Sequence, residues 1–179
     1  MTSHLIDHFN QRTTAVTSAV GDCTFCDIAA GRQPAHKVYE DDDVLAFLDI
    51  LPIRTGHLLV VPKRHYERVS HLPDDLSAAI GRTLPRIARA LCRAVDQPDF
   101  NIVSNQGYAQ VVPHVHYHLV PAPRADAPRP SRTPAARLFA AARTELDDDD
   151  GAELARRIRD ELAREQTGGD RRVERRAKL

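Results

Sequence analysis

Apolar positions in this chain fall into short central runs and one long stripe. KVYE at 37–40 and VLAFL at 44–48 flank the acidic turn Asp41-Asp42-Asp43 and predict two short strands. HLLVVP at 57–62 is apolar at successive positions and predicts a third strand, buried on both faces. FNIVS at 100–104 and PHVHYHLVP at 113–121 supply a fourth and a fifth. Short connections between successive strands imply antiparallel pairing. Leu76, Ile80, Leu84, Ile87, Leu91 and Val95 recur every three or four positions, the period of an amphipathic helix over 73–95. Pro73 suits a first turn, and Asp74 and Asp75 complement the positive end of the helix dipole. Pro85 removes an interior backbone donor, yet the stripe keeps its phase across it, so one bent helix is expected. The pattern reads as α+β: a five-stranded antiparallel sheet with one long and several short helices.

Outside residues 22–123 the pattern loosens. Residues 1–21 hold no basic segment followed by an apolar run and read as a mobile leader without export information. Residues 124–134, rich in Arg, Pro and Ala, read as a linker. A helical extension is expected over 135–166, with Leu154, Ile158 and Leu162 on its apolar side. Asp147, Asp148, Asp149 and Asp150 invite a calcium reading, but an acidic helix N-terminus accounts for them more simply. Residues 167–179 end in RRVERRAKL and read as a basic, disordered tail.

A chain of 179 residues makes one domain with appended arms. Its 25 basic and 25 acidic residues balance, so no net field favours nucleic acid or a membrane surface. No apolar run approaches the length of a membrane span. Three cysteines (Cys23, Cys26 and Cys92) make no disulfide framework, and a reducing, cytoplasmic setting is expected.

The fifth strand carries the chemistry. On a helix, residues two apart point to nearly opposite sides; on a strand they share a face. His114, His116 and His118 therefore line one side, while Val115, Tyr117 and Leu119 enter the core. The outer two lie roughly 13 Å apart along a strand, too far for all three to hold one ion. A central nucleophile or base with a partner on each side is the more natural division of labour.

The block HVHYHLV (114–120), together with CTFCDIAAGRQPAHKVYEDDDVLAFLDI, RTGHLLVVPKRH and NIVSNQG in this order, resembles the histidine-triad (HIT) superfamily over residues 22–123. The stretch RTELDDDDGAELARRIRDEL is similar to a C-terminal helix of some Hint-like nucleoside phosphoramidases. The resemblance implies a HIT-like fold, paired as a homodimer about a two-fold axis. It makes His116 the nucleophile toward the α-phosphorus of an AMP-like purine nucleotide, with a nucleotidyl-histidine intermediate. His118 becomes the phosphate contact, and His114 and His57 its neighbours in the catalytic group. Phe25, Ile28, Phe47 and Ile50 would enclose the base, Asp49 would accept from the ribose hydroxyls, and Asn105 and Gln110 would reach ribose or phosphate. Relatives carry a Gly-Gln-Ser/Thr loop before the triad; here Val111 follows Gln110, the loop is shortened and the hydroxyl is missing.

Cys23-Thr24-Phe25-Cys26 has the spacing of half a tetrahedral zinc site. A thioredoxin-like redox pair would need a strand before it and a helix opening at it inside a βαβ unit, and that pattern is missing. In zinc-bearing HIT proteins the remaining ligands correspond to His65 and His114, which implies a structural Cys₂His₂ zinc site of Cys23, Cys26, His65 and His114. His4, His8, His36 and His71 receive no role, and Cys92 is placed on the buried side or edge of the long helix. The expected activity is hydrolysis of nucleoside 5′-phosphoramidates or related nucleotides at the α-phosphate. Its rivals are dinucleoside polyphosphate hydrolysis and a non-catalytic nucleotide-binding regulatory protein.

Overall fold

The computed structural model describes residues 23–123 and 144–176, with side chains through Glu165 and at Thr167. The expected leader, the whole of the expected linker, residues 135–143 of the expected helical extension and the last three residues lie outside the described residues. Five strands form one sheet: β1 (Lys37–Glu40), β2 (Val44–Leu48), β3 (Leu58–Pro62), β4 (Phe100–Val103) and β5 (Tyr117–Pro121). Their spatial order is β1-β2-β3-β5-β4, and every neighbouring pair is antiparallel. Among the described residues the helices are α1 (Thr24–Ala29), α2 (Asp74–Val95) and α3 (Asp148–Arg176), with a 3₁₀ turn at Val69–His71.

The sheet is covered on both faces, which is why β2 and β3 are buried at every position. Val44, Ala46, Leu48, Leu58, Val60 and Leu119 join α2 and α3 in the main core. Leu45, Phe47, Leu59 and Val61 turn to the other face, against Cys23, Phe25 and Ile28 of the α1 segment. Register then carries this second face across the sheet, because Phe47 pairs with Leu59 and Leu59 with His118. That row places a triad histidine beside the small cluster under α1.

The long helix runs unbroken through Pro85, which stands on its exposed side where water can satisfy the orphaned carbonyl. Its buried face is wider than the predicted stripe and includes Ala79, Thr83, Ala88, Ala90 and Ala94. The reason is a second partner: α3 buries Leu154, Ala155, Ile158 and Leu162 in the same core. Arg93 pairs with Glu161 at 2.8 Å and with Glu165 at 2.9 Å, and Arg89 pairs with Glu165 at 2.7 Å, all along this seam. The aspartate run begins α3 as expected: Asp147 Oδ1 accepts from the N–H groups of Asp149 and Asp150. The helix continues to Arg176, past the boundary expected near residue 166.

The histidine stretch is only partly strand. β5 begins at Tyr117, so His118 alone of the three lies on the ladder. Pro113 has no N–H to offer, and Val115 N–H donates to the carbonyl of Tyr66 instead of to a neighbouring strand. Alternation persists through the lead-in: Val115 and Leu119 are fully buried, and Tyr117 packs against the main core. Among the described residues no helix is long and apolar enough to cross a membrane.

Candidate active site and metal centre

His114 is fully buried and turned toward the cysteines. Its Nδ1 lies 3.4 Å from Cys23 Sγ and 3.6 Å from Cys26 Sγ, while His65 Nδ1 lies 3.3 Å from Cys26 Sγ. Zinc bonds of about 2.3 Å to sulfur and about 2.0 Å to nitrogen, at a tetrahedral angle, put neighbouring S and N ligands about 3.6 Å apart. The four residues thus stand at the spacing of one coordination sphere, and their donor atoms form a single cluster. His114 Nε2–H donates to the Pro62 carbonyl at 2.8 Å, which leaves Nδ1 as the ligating nitrogen. Burial pulls the His114 pKa down to about 4, so the ring stays neutral, the form that ligates. Burial and the neighbouring Cys23 push the Cys26 thiol up to about 11; a bound cation would reverse this by taking the thiolate. The group is a Cys₂His₂ cluster suited to a structural metal ion.

His116 takes a different direction. Its Nδ1–H donates to the backbone carbonyl of His114 at 2.6 Å, so the neutral ring carries its lone pair on Nε2. Burial lowers its pKa below the ordinary histidine value, against the opposing pull of the His114 carbonyl and Asp49. Phe25 stands edge-on to His116, with ring centroids 5.3 Å apart, and 5.5 Å from Phe47. Ile28 belongs to the same apolar cluster.

His118 lies 4.8 Å from His116, ring to ring. Its Nδ1 is 2.9 Å from His57 Nε2. His57 Nδ1 sits between Ile53 N–H at 3.2 Å and Asp49 Oδ2 at 3.3 Å. A neutral His57 accepts from Ile53 and passes its Nε2–H to His118; a cationic His57 can also donate to Asp49. Either way His118 Nδ1 accepts, and Nε2 is the nitrogen that carries its proton. Gly56, just before His57, sits at φ +89°, and a Cβ there would meet Val95 at 2.9 Å, so glycine lets the chain entering β3 pack closely on α2.

The predicted residues thus divide into two groups. Cys23, Cys26, His65 and His114 gather at the metal cluster; His116, His118, His57, Asp49, Phe25, Ile28 and Phe47 gather beside it. Ile50 is 61 % exposed and stands outside the apolar cluster, at the lip of the loop 49–56. Asn105 is half-buried after β4, its carbonyl accepting from Gln106 Nε2. Gln110 is buried with its amide committed: Nε2 donates to the carbonyls of Glu67 and His114, and Oε1 accepts from Gly107 N–H. In this structure it braces the loop. Val111 is exposed, as a residue without a phosphate-binding hydroxyl can be. Ser104 was not anticipated. Its Oγ donates to the His116 carbonyl at 2.8 Å and accepts from Gln106 Nε2, so it steadies the backbone on the far side of the ring. Only its position beside Asn105 hinted at this.

Comparison with known proteins agrees with the geometry. The HIT domain profile matches residues 30–125, which contain the whole histidine stretch, His57 and His65. The chain belongs to the HIT family. An uncharacterised HIT-like protein of Methanocaldococcus jannaschii is 46% identical to this HIT protein over 101 residues, 55% of this chain and 78% of that one. The adenosine 5′-monophosphoramidase of Schizosaccharomyces pombe is 39% identical over 103 residues, 56% and 74% of the two chains. A crystallised, zinc-bound histidine triad family protein from Mycobacterium smegmatis superposes with a TM-score of 0.67 at 31% identity, over 82% of this chain and 97% of that one. Zinc in that relative accords with the Cys₂His₂ cluster here.

Proposed function

We propose that this HIT protein hydrolyses nucleoside 5′-phosphoramidates, or closely related AMP-like purine nucleotides, at the α-phosphate through a nucleotidyl-His116 intermediate. The observation that carries the reading is the bond from His116 Nδ1–H to the His114 carbonyl, which leaves Nε2 as the free nucleophile. Nε2 attacks phosphorus, the bond from phosphorus to the amine breaks, and the amine leaves with a proton from His118 Nε2. The His57–His118 pair holds that proton in its cationic form, stabilised by the Asp49 carboxylate beside His57. Water then displaces His116, giving its proton back to the pair. Phe25, Ile28, Phe47 and Ile50 enclose the base, and Asp49 and Asn105 meet the ribose. The phosphoramidase relative supports this substrate class.

Structural zinc at Cys23, Cys26, His65 and His114 would supply rigidity alone: it holds the carbonyl that orients the nucleophile, and all four protein ligands close its sphere. In the test, purified protein is incubated with adenosine 5′-phosphoramidate and quenched early. AMP release, with a mass adduct of one AMP on the peptide bearing His116, is expected. Turnover with no adduct trapped under burst conditions, or no AMP release at all, removes the reading.

The reading extends to a homodimer. Among the described residues β4 is an edge strand of the sheet, and its Ile102 and Val103 are 48 % and 45 % exposed, a concentration of apolar surface at that edge. Sedimentation should give twice the chain mass for the wild type and the single-chain mass for Ile102→Asp. A wild-type monomer at micromolar concentration would sink this part alone.

A further inference from the structure

The HIT match ends at residue 125, so α3 and the residues leading into it lie beyond it. Several of their contacts converge on the end of β2 that carries Asp49. Leu146 N–H donates to the Ile50 carbonyl at 2.8 Å, and its side chain packs against the main core. Asp148 Oδ1 lies 3.2 Å from His36 Nε2, and the His36 carbonyl accepts from Leu48 N–H. Gly151 closes on the same imidazole so tightly that a Cβ there would stand 2.5 Å from two ring atoms. Arg159 donates to the Lys37 carbonyl at 2.6 Å.

The loop 49–56 has need of such support. Ile50, Leu51 and Ile53 are largely exposed, so apolar packing does not hold the loop. Backbone and side-chain hydrogen bonds hold it instead: Asp49 N–H to the His57 carbonyl, Leu51 N–H to Asp49 Oδ1, Ile53 N–H to His57 Nδ1, and Leu146 N–H to the Ile50 carbonyl. The last of these alone comes from outside the loop and its flanking strands.

We infer that the segment from Leu146 to Gly151 is a positioning element of the nucleoside pocket, fixing the Asp49–Ile50 peptide so that carboxylate and apolar lip meet ribose and base. The inference rests on the nucleotide reading above and assigns the C-terminal extension a share in substrate affinity. Leu146 and Gly151 act through the loop and touch no substrate.

Three full-length variants test it. Leu146→Pro removes the N–H, Leu146→Ala keeps the N–H and trims the side chain, and Gly151→Ala displaces the His36 ring. Alanine is the better helix former, so the last change does not weaken α3 itself. AMP binding is measured by calorimetry, alongside KM and kcat for adenosine 5′-phosphoramidate and thermal unfolding. For Leu146→Pro, Kd and KM should rise together by roughly three- to tenfold, as loss of one backbone hydrogen bond allows, with kcat changed by less than about twofold. Leu146→Ala should stay within about twofold of wild type. Gly151→Ala should raise KM without lowering the melting temperature, and it decides the matter if Leu146→Pro does not fold. Equal weakening in both Leu146 variants, or an unchanged KM in Gly151→Ala, overturns the inference. Wild-type protein that binds no AMP overturns the nucleotide reading instead.

Discussion

His116→Asn is expected to cut AMP release from adenosine 5′-phosphoramidate by about 10⁴-fold or more while leaving the protein folded. Asparagine is chosen because its amide can still donate to the His114 carbonyl, which the imidazole Nδ1–H serves in the wild type. Alanine would leave that buried acceptor unpaired and confuse lost chemistry with lost stability. What asparagine lacks is a basic nitrogen able to bond to phosphorus. A 10⁴-fold loss is about 5.5 kcal/mol of transition-state stabilisation, the scale expected when the nucleophile of a covalent mechanism is removed. AMP affinity should change little, because Phe25, Phe47 and Asp49 are untouched. Turnover within about tenfold of wild type, with folding and AMP binding intact, would rule out His116 as the nucleophile.

Cys23→Ser is expected to lose the bound metal, destabilise the fold by about 3–5 kcal/mol and slow turnover along with it. For a domain of this size that corresponds to a fall in melting temperature of roughly 10 °C or more. Cys23 is buried and holds the α1 segment against His114, whose carbonyl orients His116. The stability effect and the kinetic effect therefore share one origin. Elemental analysis of wild-type protein purified without chelator should give about one zinc per chain, and of the variant close to none. A stable, fully active wild-type protein containing no metal would contradict the metal centre and leave the cysteines a packing role.

Much of the architecture was legible along the chain because it rests on short-range periodicity. The continuous apolar run VLAFL, buried on both faces, and the period near three and a half from Leu76 to Val95, buried along one, each produced the expected element. The aspartate run before α3 was legible for the same kind of reason: carboxylates at a helix start meet unsatisfied N–H groups nearby in sequence. The motif His114–His118 also announced that its imidazoles would lie near one another, since alternate positions on extended chain share a side.

What the linear pattern did not contain is how the three imidazoles part company. In sequence they look alike. In the fold, Pro62, Cys23 and Cys26 draw His114 into a metal cluster, the carbonyl of His114 orients His116, and His57 receives His118. Each of the contacts that turn His114 and His118 joins segments far apart in the chain, so no local propensity encodes it. The same holds for Gln110, whose amide is spent on Glu67 and His114, and for Leu146, whose N–H meets Ile50 in a fold where α3 packs on α2. Period and capping are local consequences of backbone geometry. Ring direction and loop support depend on which distant donor or acceptor packing leaves within about 3 Å.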